Sequence, residues 1–413
     1  MANLLYLVHR LPFPPNKGDK VRSYHLLKHL AAKHRVFLGT FVDDPEDEVH
    51  VATVEGLCTE LHVARLNPKL AKLRSLTGLV KQEALSLGYY RDEGLAEWCR
   101  RLLGRERIDA VIVFSSPMAQ YADPSPELPQ LVDFVDVDSA KWTQYADARK
   151  WPLSWLYRRE GERLLAYETQ VAAQAERSFF VTENETELFR RLAPAVAHKV
   201  EALSNGVDAA FFTPDPDRLP PFEVRSEPET SVSNSSPKLV FTGAMDYWPN
   251  IDAVQWFVAE MLPPLLQRWP GLQLYIVGRS PSPAVLALAS AQVVVTGTVP
   301  DVRPYLQHAS VVVAPLRVAR GIQNKILEAM AMARPVVAAA VCVEPIGATN
   351  GVELVSAQTV EDFVAQIDRL IGAPQLADTI GLAGQAMVRR SYSWDAHLAG
   401  IDRHLDACVA KET

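Results

Sequence analysis

The reading of one stretch decides the fold: "SVVVAPLRVARGIQNKILEAMAMARPVVAAAVCV" (310–343). Its ends, "SVVVAPL" (310–316) and "PVVAAAVCV" (335–343), are short, apolar, rich in β-branched residues and bounded by proline, the pattern of strands buried on both faces of a parallel sheet. Parallel neighbours need a crossover, and the segment between them has helical spacing. On that helix Ile322, Ile326, Leu327 and Met330 form an apolar stripe for the sheet, while Gly321, Asn324, Lys325 and Glu328 fall on the opposite side. Ligands of open α/β sheets bind beyond the carboxyl ends of the strands, where helix N-termini supply free N–H groups and a positive dipole. The loop "RVARG" (317–321) lies there. Arg317, Arg320 and Lys325 add positive charge, Gly321 permits close backbone approach, and Glu328 one turn on can accept hydrogen bonds from sugar hydroxyls. A nucleotide fits this arrangement. The alternative is an ordinary exposed Lys/Glu pair at i, i+3, worth about 0.2–0.5 kcal/mol on any helix.

The same alternation runs outward in both directions. "LLYLVHR" (4–10), a Pro/Gly loop, the helix "KVRSYHLLKHLAAKH" (20–34) and "RVFLGTFV" (35–42) make a βαβ unit. Strands are further expected at 59–66, 109–116, 130–137 and 177–182, completing a first Rossmann-like half. The segment "PPFEVRSEPETSVSNSSP" (220–237) has almost no core-forming residues and reads as a linker or surface loop. Strands at 238–245, 272–280 and 292–299 then lead into the opening stretch, forming a second half. Leu398, Ile401, Leu405 and Val409 in 393–412 predict an amphipathic terminal helix.

At 413 residues, with 48 % apolar and 22 % charged residues, the chain is ordinary globular material for two full cores. A net charge of −7 with no dominant basic stripe argues against nucleic acid as a partner. The four cysteines are scattered without metal-ligand spacing, pointing to a reducing cytosol. The start "MANLLYLVHRLPFP" reads as a strand rather than a signal segment, and no apolar run is long enough to span a membrane. Membrane contact is therefore expected only as peripheral.

Several motifs in order resemble a GT-B glycosyltransferase of the family 4 (group 1) type over nearly the whole chain. They are "PFPPNKGDKVRSYHLLKHLA" (12–31), "LSNGVD" (203–208), "LYIVGRSP" (274–281), "TGTVPDVRPYLQHASVVVAPL" (296–316) and "GIQNKILEAMAMARPVV" (321–337). "FVDVDSAKW" (134–142) with "FTGAMDYWPNIDA" (241–253) is similar to sugar transferases of exopolysaccharide loci and the exosortase (PEP-CTERM) system. The resemblance implies α/β architecture with two Rossmann-like domains facing a cleft: about 1–210 for the acceptor, about 211–390 for the donor, and 391–413 as a helix packing back toward the first. It implies a retaining transferase moving a sugar from a nucleoside diphosphate sugar to a polysaccharide or lipid-linked acceptor, with no metal or other cofactor required. Glu328 would bind the donor ribose and Lys325 the diphosphate, with Gly18, Gly243, Gly278, Arg279, Thr298, Val299, Arg320, Gly321, Ile322 and Asn324 completing the donor site.

Departures from the family pattern are informative. The first of two acidic residues usual in the donor segment falls on Arg320, and the usual Arg and Lys of the second domain's first turn are replaced by Ala244 and Pro249. Arg320, with Arg279, is expected to supply the missing charge. Ala333 stands where glycine often ends the helix.

Asp136 and Asp138 in "DVD" could hold a cation, as in the GT-A fold, but a second complete α/β half is not expected there. They could instead position an acceptor hydroxyl, Asp138 foremost, or cap the next helix. Two other functions remain open: a non-hydrolysing sugar-nucleotide epimerase, and a catalytically silent scaffold. The first domain is expected to touch the inner face of the membrane. "RLNPKLAKLRSLTGLVK" (65–81) has five basic and no acidic residues, and 141–163 mixes Trp142, Trp151 and Trp155 with six basic and three acidic ones.

Overall fold

In the first half, seven short apolar runs become parallel strands: β1 (Asn3–Val8), β2 (Arg35–Val42), β3 (Glu60–Arg65), β4 (Ala110–Phe114), β5 (Gln130–Val135), β6 (Arg177–Phe180) and β7 (Val200–Ala202). The computed structural model describes residues 1–15, 18–122, 128–147, 150–222, 236–319 and 322–410. The sheet order is β3-β2-β1-β4-β5-β6-β7. Every residue of β4 is buried, as an all-parallel sheet covered by helices on both faces requires.

The second half repeats the plan with β8 (Lys238–Thr242), β9 (Gln273–Val277), β10 (Val293–Gly297), β11 (Val311–Ala314), β12 (Val336–Ala339) and β13 (Val355–Ala357), ordered β10-β9-β8-β11-β12-β13. All pairings are parallel, and Val312, Val313 and Ala314 of β11 lie opposite Val336, Val337 and Ala338 of β12. In each sheet the order reverses beside the first strand of the half. That reversal is the topological switch point of a doubly wound sheet.

The chain divides into two compact units, 1–205 with 397–413, and 206–396. The division therefore falls slightly before the expected boundary near 210 and slightly after that near 390. Gly206, the first residue of the second unit, has no room for a side chain, since a Cβ there would come within 2.7 Å of the Trp394 backbone. The terminal helix Trp394–Ala410 buries Leu398, Ile401 and Leu405, and from His397 onward it belongs to the first unit. Asp402 on that helix pairs with His29 at 2.9 Å and Lys33 at 2.6 Å, and His404 reaches Glu201 at 3.0 Å.

One expectation needs correction. The apolar run 335–343 is strand only to Ala339, after which Ala340–Val343 is a helical turn that still buries Cys342 and Val343. Periodicity does not separate a buried strand from a buried helix in so short a run. The strands β7 and β13, of three residues each, were not expected.

Candidate functional site

The helix Asn324–Ala331 follows β11 and lies on the second sheet with Ile326, Leu327 and Met330 fully buried. Its first turn looks into a pocket of about 540 Å³ beyond the carboxyl ends of β8, β9 and β10, beside the switch point. Gly243 and Ala244 follow β8, Gly278 and Arg279 follow β9, Thr298 and Val299 follow β10, and Ile322, Asn324, Lys325 and Glu328 close the fourth side. Two glycines make the floor possible. A Cβ on Gly278 would lie 1.6 Å from the Gly243 carbonyl oxygen, and one on Gly243 would lie 2.7 Å from the Asn250 amide and 2.9 Å from the Lys325 ammonium.

Lys325 does not pair with Glu328. Its ammonium donates to Oδ1 of Asn250 at 2.5 Å and stands 4.4 Å from the centroid of the Phe241 ring. Asn250 in turn donates from Nδ2 to the carbonyl of Ala244 at 2.8 Å, which fixes its oxygen toward the lysine. Burial depresses the Lys325 pKa to about 8, with the thiol of Cys342 and the carboxyl of Glu328 pulling it back up. Burial likewise raises Glu328 to about 7, with Lys325 opposing. Two desolvated groups of this kind gain from a ligand that brings negative charge to the lysine and hydroxyl donors to the carboxylate.

Of the residues proposed from sequence, Gly243, Gly278, Arg279, Thr298, Val299, Ile322, Asn324, Lys325 and Glu328 therefore share one pocket. Arg320 and Gly321 lie outside the described residues. Gly18 begins the helix Gly18–Ala31 of the first unit. Arg317 is not a free cation for a ligand, since it forms a two-nitrogen ion pair with Asp252 and sits over the Trp256 ring. Asp136 and Asp138, beyond β5 in the first unit, share the Lys141 ammonium at 2.7 and 3.1 Å. Asn250 was missed. "GAMDYWPN" stands out in sequence for the cations it lacks, and an asparagine whose partner lies 75 residues away has no local signature.

A pocket at the switch point of a doubly wound sheet is where ligands of such folds bind, and comparison with known proteins gives the likenesses of this chain. Residues 236–373, most of the second unit, match the family described as "Glycosyl transferases group 1". D-inositol 3-phosphate glycosyltransferase of Segniliparus rotundus is 26 % identical over 250 residues, which are 57 % of this chain and 53 % of the relative. The chain thus spans about half the length of that curated relative. Among solved structures, HepE of Anabaena in complex with UDP superposes with a TM-score of 0.62 at 13 % identity, covering 98 % of this chain and 100 % of that one. Sucrose-phosphate synthase from Thermosynechococcus elongatus gives 0.60 at 17 %, covering 100 % of both. The fold is GT-B.

Proposed function

We propose that this protein is a retaining glycosyltransferase that moves a sugar from a nucleoside diphosphate sugar to a polysaccharide or lipid-linked acceptor in exopolysaccharide synthesis, at the inner face of the membrane. The observation that carries the proposal is the Lys325 ammonium, held by Asn250 at the mouth of the pocket with Glu328 one turn further along the same helix. The group 1 match over the second unit supports it, as does the Anabaena neighbour solved with UDP and with UDP-glucose.

In this reading the diphosphate lies across Gly243 and Gly278, where missing side chains leave room for it against the backbone, and Lys325 sits beside its oxygens. Glu328 accepts from the ribose hydroxyls. As the glycosidic bond breaks, negative charge builds on the leaving diphosphate; Lys325 and the N-terminus of Asn324–Ala331 are already in place to stabilise it. That assigns charge neutralisation to the protein rather than to a metal, so turnover is expected to survive chelation. Asp138 orients the acceptor hydroxyl while Lys141 holds its carboxylate in place.

A melting screen against UDP, GDP, ADP and their sugars tests the reading. A ligand at 100 times its Kd adds about 2.7 kcal/mol of stability. Stabilisation by one nucleotide family, with transfer or slow hydrolysis of its sugar, is the expected result. No response to any nucleotide would overturn it, and release of an isomerised nucleotide sugar would replace it with an epimerase.

A further inference from the structure

Helix Pro68–Ser75 of the first unit is seated inside out. It buries its small residues, Ala71 and Ser75, and turns Leu70 and Leu73 to solvent. The next helix, Thr77–Lys81, buries Gly78 and leaves Val80 88 % exposed. A second segment does the same: Trp151 is 80 % exposed, with Leu153 and Trp155 also exposed at the start of helix Leu153–Gln174. Trp142, by contrast, packs into a small cluster with Ala84, Leu87 and Leu164, so only two of the three tryptophans face outward.

The two segments are locked side by side. Arg159 donates to the carbonyls of Gly78 at 2.8 Å and Glu83 at 3.1 Å, and the buried Glu160 carboxylate accepts from the backbone N–H groups of Leu85 at 2.6 Å and Ser86 at 2.9 Å. Gly78 lies between Leu76 and Val80, and Trp155 is one helical turn before Arg159. These bonds set Leu76 and Val80, on either side of Gly78, near the turn of the second helix that carries Trp155. Lys69, Lys72, Lys81 and Lys150, in the same two segments, are exposed and form no ion pair among the described residues. Two copies of such a face would bring like charges together, which disfavours self-association.

We propose that this face is a docking surface for a bilayer containing anionic lipid. The leucines and Val80 enter the acyl boundary, Trp151 and Trp155 take the headgroup level, and the lysines lay their apolar stems along the surface with their ammonium groups among lipid phosphates. Each basic residue near such a surface adds roughly fivefold to partitioning. The inference deepens the membrane part of the proposed function and names its surface, but it does not need the transfer reaction to be right.

Flotation of the full chain with phosphatidylcholine vesicles, with and without about one-third phosphatidylglycerol, at low and high salt, is the test. Expected is capture by anionic vesicles that salt weakens. Leu73→Glu with Val80→Glu, and separately Lys69→Glu with Lys72→Glu, should each cut that capture at least tenfold. The altered side chains are exposed, so melting temperature and nucleotide response should stay at wild-type values in both variants. That second readout keeps failure here distinct from failure of the nucleotide-sugar assignment. Equal capture by neutral and anionic vesicles, no capture, or variants that bind as well as wild type would overturn the proposal. So would a wild-type dimer in sedimentation that the same substitutions dissolve, because the face would then be a protein interface.

Discussion

Lys325 is held by Asn250 across 75 residues of sequence, and Asn250 is itself held by the carbonyl of Ala244. The ammonium is therefore aimed by the helix that follows β8, Trp248–Trp256, rather than by its own helix. This division of labour separates two substitutions. Lys325→Ala removes the charge and should lower turnover roughly 10²-fold or more, as loss of one preorganised donor does. Asn250→Ala keeps the charge but frees it, and should cost roughly tenfold, the scale of one hydrogen bond to a charged group. Steady-state kinetics on both variants checks the ranking; an Asn250 effect as large as that of Lys325 would mean that the asparagine itself touches substrate.

The same pair predicts a narrow pH optimum. Donor binding needs Lys325 protonated and Glu328 ionised, so kcat/KM should fall below about pH 7 and above about pH 8. Stability of the free protein should run the other way. Glu328 is raised from 4.5 to about 7, so the folded state binds the extra proton, and the stability this adds at low pH is lost as pH rises toward 7. Lys325 is depressed from 10.5 to about 8, so its contribution is present above 10.5 and is lost as pH falls through 8. Lys325→Met should remove the alkaline part of that dependence in denaturant titrations; an unchanged profile would contradict the assignment.

Gly278→Ala should damage the pocket more than the fold. Its Cβ would be 1.6 Å from the Gly243 carbonyl oxygen, so the ends of β8 and β9 must move apart. Overpacking of this kind costs about 1–3 kcal/mol. Loss of nucleotide-induced stabilisation, with a smaller drop in melting temperature, is the outcome to look for by scanning fluorimetry.

Ala333 ends the helix Asn324–Ala331 in the left-handed conformation, with φ 53°. A Cβ there costs about 1–2 kcal/mol, while glycine returns about 0.4–1 kcal/mol through the freer unfolded chain. Ala333→Gly should therefore stabilise the second unit by about 0.5 kcal/mol or more, read from its urea midpoint. A destabilised variant would show that the strain is not relieved at this position.

Particular residues show how far the sequence could be read. β2 fell on its predicted span, Arg35–Val42, because eight mostly apolar residues between a charged helix end and an acidic turn allow few other readings. β7 and β13 escaped because three residues carry no usable period. Nine of the residues expected at the donor site share one pocket since each sits at a strand exit, just before the helix Asn324–Ala331 or in its first two turns, places that topology alone makes neighbours. Arg317 failed the same logic: its place was right, but Asp252, 65 residues earlier, claims its guanidinium. Side-chain partners chosen across the sheet, like Asn250 for Lys325, lie beyond any local pattern.

The first unit is discontinuous, and this sets an order on synthesis. Residues 1–205 leave the ribosome early, yet Asp402, which holds His29 and Lys33, and the buried Leu398, Ile401 and Leu405 arrive only after all of 206–396 has been made. Until then the first unit lacks the helix that carries these residues. Whoever exchanges second units between relatives must therefore cut twice, at Asn205 and at Ala396, and graft the insert into a host that keeps its own last helix.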